Sequence, residues 1–333
     1  MLEVRDLKIN IEGKKGLVQA VRGVNFNLKK NELLAIVGES GSGKSILCRA
    51  IMNILPQGGK IVDGEIIFGN KHIENLNERE GESFRGKEIG MVFQNPMTSL
   101  NPTMTIGSQI MEGLLIHLKM SKEKGREEAL KLMRLVGIDR VEERFNQYPH
   151  EISGGMRQRV VIAIAVSCKP RIVIADEPTT ALDVTIQKQI LDLMLHIKND
   201  HNSSVILVSH DLGVVSNVAD RVVIMYAGKI VEMGTTKEIF KNPRHPYTIS
   251  LLKSLPSLNK NKEFLETIGG TPPDLVNPPK GDPFAWRNKE ALKIDFLEEP
   301  PLVKISDTHY VYSWKAYYEE NIERFENLEG AAL

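Results

Sequence analysis

Apolar and polar positions alternate in short pieces through residues 2–28, with Gly13, Gly16 and Gly23 between them. A period of two with glycine breaks predicts antiparallel strands, here capping the edge of a sheet. The pattern changes at Leu33-Leu34-Ala35-Ile36-Val37, a continuous apolar run. Runs of this kind suit parallel strands covered on both faces. Ile89-Gly90-Met91-Val92-Phe93, Ile172-Val173-Ile174-Ala175 and Val205-Ile206-Leu207-Val208 repeat it, and 64–69 reads as a further strand. Between 97 and 148 the period lengthens. Ile106, Ile110, Leu114 and Leu118 recur at helical spacing, as do Ala129, Leu132, Met133 and Val136. These stripes predict core packing in a helical lobe of about 97–160, set apart from the sheet. Strands at 221–225 and 229–232 flank the turn Tyr226-Ala227-Gly228. The strand–helix alternation predicts a mainly parallel sheet with helices on both sides.

Near Pro256 the pattern stops. Ser257-Leu258-Asn259-Lys260-Asn261-Lys262 reads as a polar linker, and Pro272-Pro273, Pro278-Pro279, Pro283 and Pro300-Pro301 follow. Prolines at this density forbid long helices. The division expected is therefore an α/β domain over 1–256 and a small irregular extension over 257–333, holding a hairpin within 303–312 and resting on packing alone. A charged final helix would carry Tyr318, Ile322 and Phe325 on one apolar face.

Composition narrows the classes. The 43 lysines and arginines balance 43 aspartates and glutamates, so bulk charge points to neither nucleic acid nor an anionic surface. Cys48 and Cys168 fall in predicted helices far apart, offering neither a disulfide framework nor a CxxC metal site, as expected in a reducing cytosol. The charged N-terminus lacks the apolar core of a signal peptide. No apolar run approaches the ~20 residues that span a bilayer, so membrane association would go through a partner.

The chemistry begins at Gly38-Glu39-Ser40-Gly41-Ser42-Gly43-Lys44-Ser45, between the run 33–37 and a helix expected over 46–55. Strand, glycine-rich loop and helix in this order form a P-loop context. Its backbone N–H groups can converge on phosphate oxygens, aided by the helix N-terminus. Lys44 would reach the β- and γ-phosphates, and the Ser45 hydroxyl would ligate Mg²⁺. Asp176-Glu177 ends the strand 172–175. An aspartate there can hold Mg²⁺, and the adjacent glutamate can orient or deprotonate an attacking water. Ser153-Gly154-Gly155 opens another helix. Alone it is an ordinary N-cap with a flexible turn. Beside a single lysine-bearing loop, it makes sense as an anion-binding end facing a nucleotide held by another subunit.

In this order, the P-loop, Ile152-Ser153-Gly154-Gly155-Met156-Arg157-Gln158-Arg159 and the strand followed by Asp176-Glu177-Pro178 resemble the nucleotide-binding domain of ABC transporters, from Leu2 to about Leu255. The resemblance implies the P-loop NTPase fold with an antiparallel β subdomain, a helical subdomain and ATP as substrate. It implies a head-to-tail dimer in which Ser153, Gly154, Gly155 and Gln158 contact ATP on the partner's P-loop. Gln94 matches the Q-loop glutamine, a Mg²⁺ and water contact. Asp183 in Ala181-Leu182-Asp183 matches the D-loop linking the two sites. His210 matches the histidine that contacts the γ-phosphate and positions the glutamate. The metal set implied is Ser45, Gln94 and Asp176.

His245-Pro246-Tyr247-Thr248 and Gly269-Gly270-Thr271-Pro272-Pro273 are similar to the extension of oligopeptide and dipeptide importer ATPases. Partners implied are a second ATPase subunit, two integral membrane permeases and, indirectly, an extracytoplasmic binding protein, with no nucleic acid. The location implied is the cytoplasmic face of the membrane. The sequence departs from the family at two points. Ile11 stands where most relatives stack an aromatic on adenine, which predicts either weaker nucleotide affinity or an adenine contact from elsewhere. Asp282, Asn288, Asp295 and Ser313 stand where relatives carry four cysteines. None is a thiolate, so no iron–sulfur cluster is expected, and the four are read as unpaired surface polar residues in preference to a hard-cation site. The alternative class is a soluble ABC ATPase of translation or DNA repair. Such proteins usually carry two ATPase domains, coiled coils or basic surfaces, and none is seen here. A P-loop kinase would leave Ser153-Gly154-Gly155 unexplained.

Overall fold

In the computed structural model, which describes residues 1–14, 16–180, 182–255 and 267–321, the apolar runs become the strands of one central sheet. In chain order the strands are β1 (Leu2–Gly13), β2 (Gly16–Leu28), β3 (Leu33–Val37), β4 (Gly59–Phe68), β5 (Lys71–His72) and β6 (Ile89–Val92). They continue with β7 (Ile172–Asp176), β8 (Ser204–Ser209), β9 (Arg221–Tyr226), β10 (Lys229–Thr235), β11 (Leu302–Lys304) and β12 (Tyr310–Tyr312). The central sheet has the order β11-β12-β10-β9-β3-β8-β7-β6. The segment from β9 to β6 is parallel, with β3 between β8 and β9.

The helices are α1 (Lys44–Ile51), α2 (Glu78–Phe84), α3 (Pro96–Ser99), α4 (Ile106–His117), α5 (Lys122–Leu135) and α6 (Val141–Arg144). After them come α7 (Gly154–Val166), α8 (Val184–His201), α9 (Leu212–Val215), α10 (Thr236–Lys241), α11 (Pro246–Lys253) and α12 (Trp314–Glu320). Both faces of the sheet are covered, which is why its strands read as unbroken apolar runs. Leu34, Ile36, Ile174 and Ile206 face Leu47, Ile51 and the N-terminal strands. Leu33, Val173, Ala175, Val205 and Leu207 face the other way, toward Val160, Ile190 and the helical lobe. In the lobe Ile106, Ile110, Leu114, Ala129, Met133 and Val136 are fully buried, whereas Leu118 is largely exposed. Among the described residues no helix is long and apolar enough to cross a membrane.

Four expectations need correction. The N-terminal strands do not cap the central sheet; they form a separate antiparallel sheet, β2-β1-β4-β5, stacked over α1. Alternation identifies a half-buried strand but carries no information about its neighbour. The first helix runs two residues earlier than expected and stops at Ile51, because Asn53 takes a left-handed conformation. Cys168 lies in the turn after α7, buried rather than helical. The extension does not rest on packing alone. Its hairpin β11–β12 joins the central sheet through β12 and β10, antiparallel at Glu232↔Val311 and Met233↔Tyr310.

Buried Glu232 reinforces that junction, accepting from the Arg244 and His245 amides at 2.7 and 3.0 Å and pairing with His309 Nε2 at 2.7 Å. The four positions that align with cysteines in relatives are not free surface groups either. Asp282, Asp295 and Ser313 are buried, and each of the four accepts a nearby backbone N–H: Phe284 to Asp282, Glu290 to Asn288, Leu292 to Asp295 and Ala316 to Ser313. Asp282 and Asn288 open turns by accepting from the amide two residues on, Asp295 reaches back three residues, and Ser313 caps the start of α12, all uses that suit an oxygen acceptor. The linker 257–262 and the helix positions Ile322 and Phe325 lie outside the described residues, and Tyr318 sits on α12.

Candidate functional site

The fully buried strand β3 ends at Val37, and the chain curls through 38–43 into α1. Two glycines are there because nothing larger fits. A Cβ at Gly38 would lie 2.1 Å from the Met225 carbonyl oxygen, and one at Gly43 would lie 2.3 Å from that of Ala20. Gly43 also has a φ of +98°, a region open chiefly to glycine. Lys44 is 4% exposed and folds back over the loop, donating to the Gly38 and Glu39 carbonyls at 2.7 and 2.8 Å and to Ser42 Oγ at 3.3 Å. Burial lowers the pKa of its ammonium, opposed by the charges of Glu177 and Asp176.

Parallel pairing of β7 with β8 brings the ends of those strands beside the loop. Ser45 Oγ donates to Asp176 Oδ1 at 3.1 Å. Asp176 is 4% exposed, and burial pushes its carboxyl above the usual range, with the Ser45 hydroxyl opposing. A buried carboxylate beside a hydroxyl is a hard-oxygen pair suited to Mg²⁺.

The next residue gathers the rest. Glu177 Oε2 accepts from Gln94 Nε2 at 3.0 Å and Thr180 Oγ1 at 3.0 Å, and it lies 3.3 Å from His210 Nδ1. Glu177 itself has a φ of +48°, a strained position for a side-chain-bearing residue. A cavity of about 120 Å³ opens beside it, lined by Glu177, Thr180, Ser209, His210 and Asp211. Thr180 was not legible as a site residue. Its signal is the turn 177–180, closed by the Thr180 amide on the Glu177 carbonyl at 3.2 Å, which returns the hydroxyl to the carboxylate.

Ser153 caps α7, accepting from the Met156 amide at 3.3 Å, and it is exposed together with Gly154. Gly155 packs on Ile186 in the first turn of α8, which exposed Asp183 caps at 3.0 Å. The two helix starts thus make one surface, with Val184 80% exposed beside them. Gln158 does not join that surface: it is 2% exposed, and its Nε2 is buried without a partner among the described residues. From Val160 to Val166 α7 is buried on almost every side, and Gln158 lies at the start of that buried stretch. Ile11 is half-buried on β1, opposite Val18 and Gly59, close along the ladder to the Ala20 carbonyl that borders Gly43.

Residues 21–180 match the ABC transporter family, and 231–294 match the oligopeptide/dipeptide transporter C-terminal region. The chain is 60% identical to the oligopeptide transport ATP-binding protein OppD of Bacillus subtilis, over 94% of this chain and 88% of that protein. It is 51% identical to the dipeptide transport ATP-binding protein DppD of Lactococcus lactis, over 99% and 98%. Among solved structures it is similar to a dimeric ATP-binding cassette in a post-hydrolysis state bound to ADP and Pi. That likeness has a TM-score of 0.65 and 28% identity, covering 71% of this chain and 99% of the other.

Proposed function

The chain belongs to the ABC transporter family, in the branch that carries the oligopeptide/dipeptide transporter C-terminal region, and from that membership we propose that it is the ATP-hydrolysing subunit of an importer of di- and oligopeptides. It would act at the cytoplasmic face of the membrane, bound to two permeases and a second ATPase subunit. The observation that carries the reading is the convergence of Gln94, Thr180 and His210 on Glu177, one residue from the Asp176–Ser45 pair.

The P-loop amides of 38–45 and the Lys44 ammonium draw in the triphosphate, Lys44 exchanging the Gly38 and Glu39 carbonyls for phosphate oxygens. Ser45, Asp176 and Gln94 would hold Mg²⁺, which when bound neutralises phosphate charge. Ser153, Gly154 and Gly155 offer a helix N-terminus to the γ-phosphate of ATP on the opposing subunit, where it stabilises developing charge. Asp183, beside Gly155, links the two sites, and Ile11 packs on the base. Glu177 takes the proton of the attacking water. Gln94, Thr180 and His210 fix its carboxylate, and His210 also contacts the γ-phosphate. Hydrolysis and phosphate release reopen the pair.

Glu177→Gln keeps the shape and removes the base. Multiple-turnover hydrolysis is expected to fall about 10²–10⁴-fold with ATP binding retained, and gel filtration in ATP should show a stable dimer. Turnover near wild type would remove Glu177 from this role.

A further inference from the structure

The extension reaches the nucleotide loop directly. Arg287 lies in a 3₁₀ turn of the extension (Ala285–Arg287), its side chain 6% exposed. Its guanidinium Nη1 donates to Glu39 Oε2 at 2.7 Å and to the Tyr226 hydroxyl at 3.1 Å. Its other nitrogens are committed to the extension, Nε to the Gly269 carbonyl at 2.8 Å and Nη2 to that of Ile268 at 3.2 Å. The rings of Tyr226 and Phe284 flank it at 5.7 and 5.8 Å. Glu39 is held at a second point, its amide donating to the Tyr247 hydroxyl at 2.9 Å. Tyr247 is itself fully buried.

Glu39 is the first residue after Gly38, so it places a carboxylate on the rim of a loop whose task is to attract anions. An unmatched negative charge there repels a triphosphate, and in a partly desolvated site the repulsion is weakly screened. Arginine suits the opposing role, since it stays charged and its planar fork serves several acceptors at once. We propose that Arg287 is a positioning residue for the P-loop: from the extension it neutralises Glu39 and holds that carboxylate off the phosphate path. The inference rests on the assignment of residues 38–45 as the ATP site. It gives the extension a part in nucleotide affinity as well as in the fold.

The test is ATP displacement of a fluorescent nucleotide from the intact chain, paired with steady-state hydrolysis. Arg287→Gln removes the charge and, being shorter, also gives up contacts to Tyr226 and to the Ile268 and Gly269 carbonyls, so the double variant with Glu39→Gln is what isolates the charge. It is expected to weaken ATP binding and raise KM about five- to tenfold, the size of a semi-buried charge pair. kcat at saturating ATP should stay within about twofold, since nothing around Glu177 is touched. Adding Glu39→Gln to Arg287→Gln should restore affinity, because the repelling charge is gone; a residue that merely stabilises the extension would show no such rescue. Wild-type affinity in Arg287→Gln, or a loss that Glu39→Gln does not relieve, overturns the proposal. Lys44→Ala separates the layers. If it abolishes binding while Arg287→Gln binds as wild type does, only the role of Arg287 falls. If Lys44→Ala also binds normally, the ATP site lies elsewhere and both fall.

Discussion

Asp176 shows at the scale of one residue how burying a carboxylate strains the fold around it. Its carboxyl is buried and its pKa raised by that burial, so the folded chain holds the proton more tightly than the unfolded chain does. Its contribution to stability is therefore fully present below the ordinary value of 3.8 and is lost as pH rises through the folded value. At neutral pH the buried charge is a cost that a bound cation would offset. Asp176→Asn keeps an acceptor for Ser45 and removes the charge. In calorimetry without nucleotide the variant should melt about 1–3 °C above wild type at neutral pH, with the gap closing as pH falls below 3.8. On the proposed role of Asp176 it should also gain less stability than wild type from added Mg²⁺ and ATP. A variant less stable than wild type at neutral pH would contradict this account.

At the scale of elements, legibility followed locality. The P-loop could be read because its strand, turn and helix are contiguous and its geometry admits few residue types. Gly38 and Gly43 face backbone oxygens at distances no side chain tolerates. The ends of β7 and β8 could be read because apolar runs stop sharply at Asp176 and at Ser209, one residue before His210. Contacts such as Arg287 to Glu39 could not, because 248 residues separate partners that carry no shared pattern. The hairpin β11–β12 was legible as a hairpin, but its docking on β10 was not, since three-residue strands among prolines give no pairing signal.

The docking has its own clasp in Glu238, at the start of α10. Burial raises its pKa, but the hydroxyls of Ser306, Thr235 and Thr308 and the Thr235 amide outweigh that and hold it down at about 2. Ser306 and Thr308 belong to the turn between the hairpin strands, at 2.6 and 2.9 Å. A depressed carboxyl contributes stability that is present above 4.5 and lost as pH falls toward about 2. Glu238→Ala should melt below wild type at pH 7, and the difference should shrink through that acid window. An unchanged difference at pH 2.5 and pH 7 would place the effect in packing instead.

For the whole molecule, the shared sheet makes cassette and extension one mechanical body. β10 pairs with β9 on one side and β12 on the other, and Glu232 joins it to α11 and His309. Differential scanning calorimetry should therefore give a single cooperative transition, with calorimetric and van't Hoff enthalpies agreeing. Two resolved transitions would show that the extension unfolds by itself. The same arrangement has a cost during synthesis. The middle of the β10 flank is covered by Tyr310 and Val311, which leave the ribosome on the order of ten seconds later at ordinary elongation rates. Until then the nascent cassette displays an unsealed ribbon edge that a neighbouring nascent chain can capture. The interval of synthesis before residue 310 emerges is therefore the one in which this edge is open to edge-to-edge pairing.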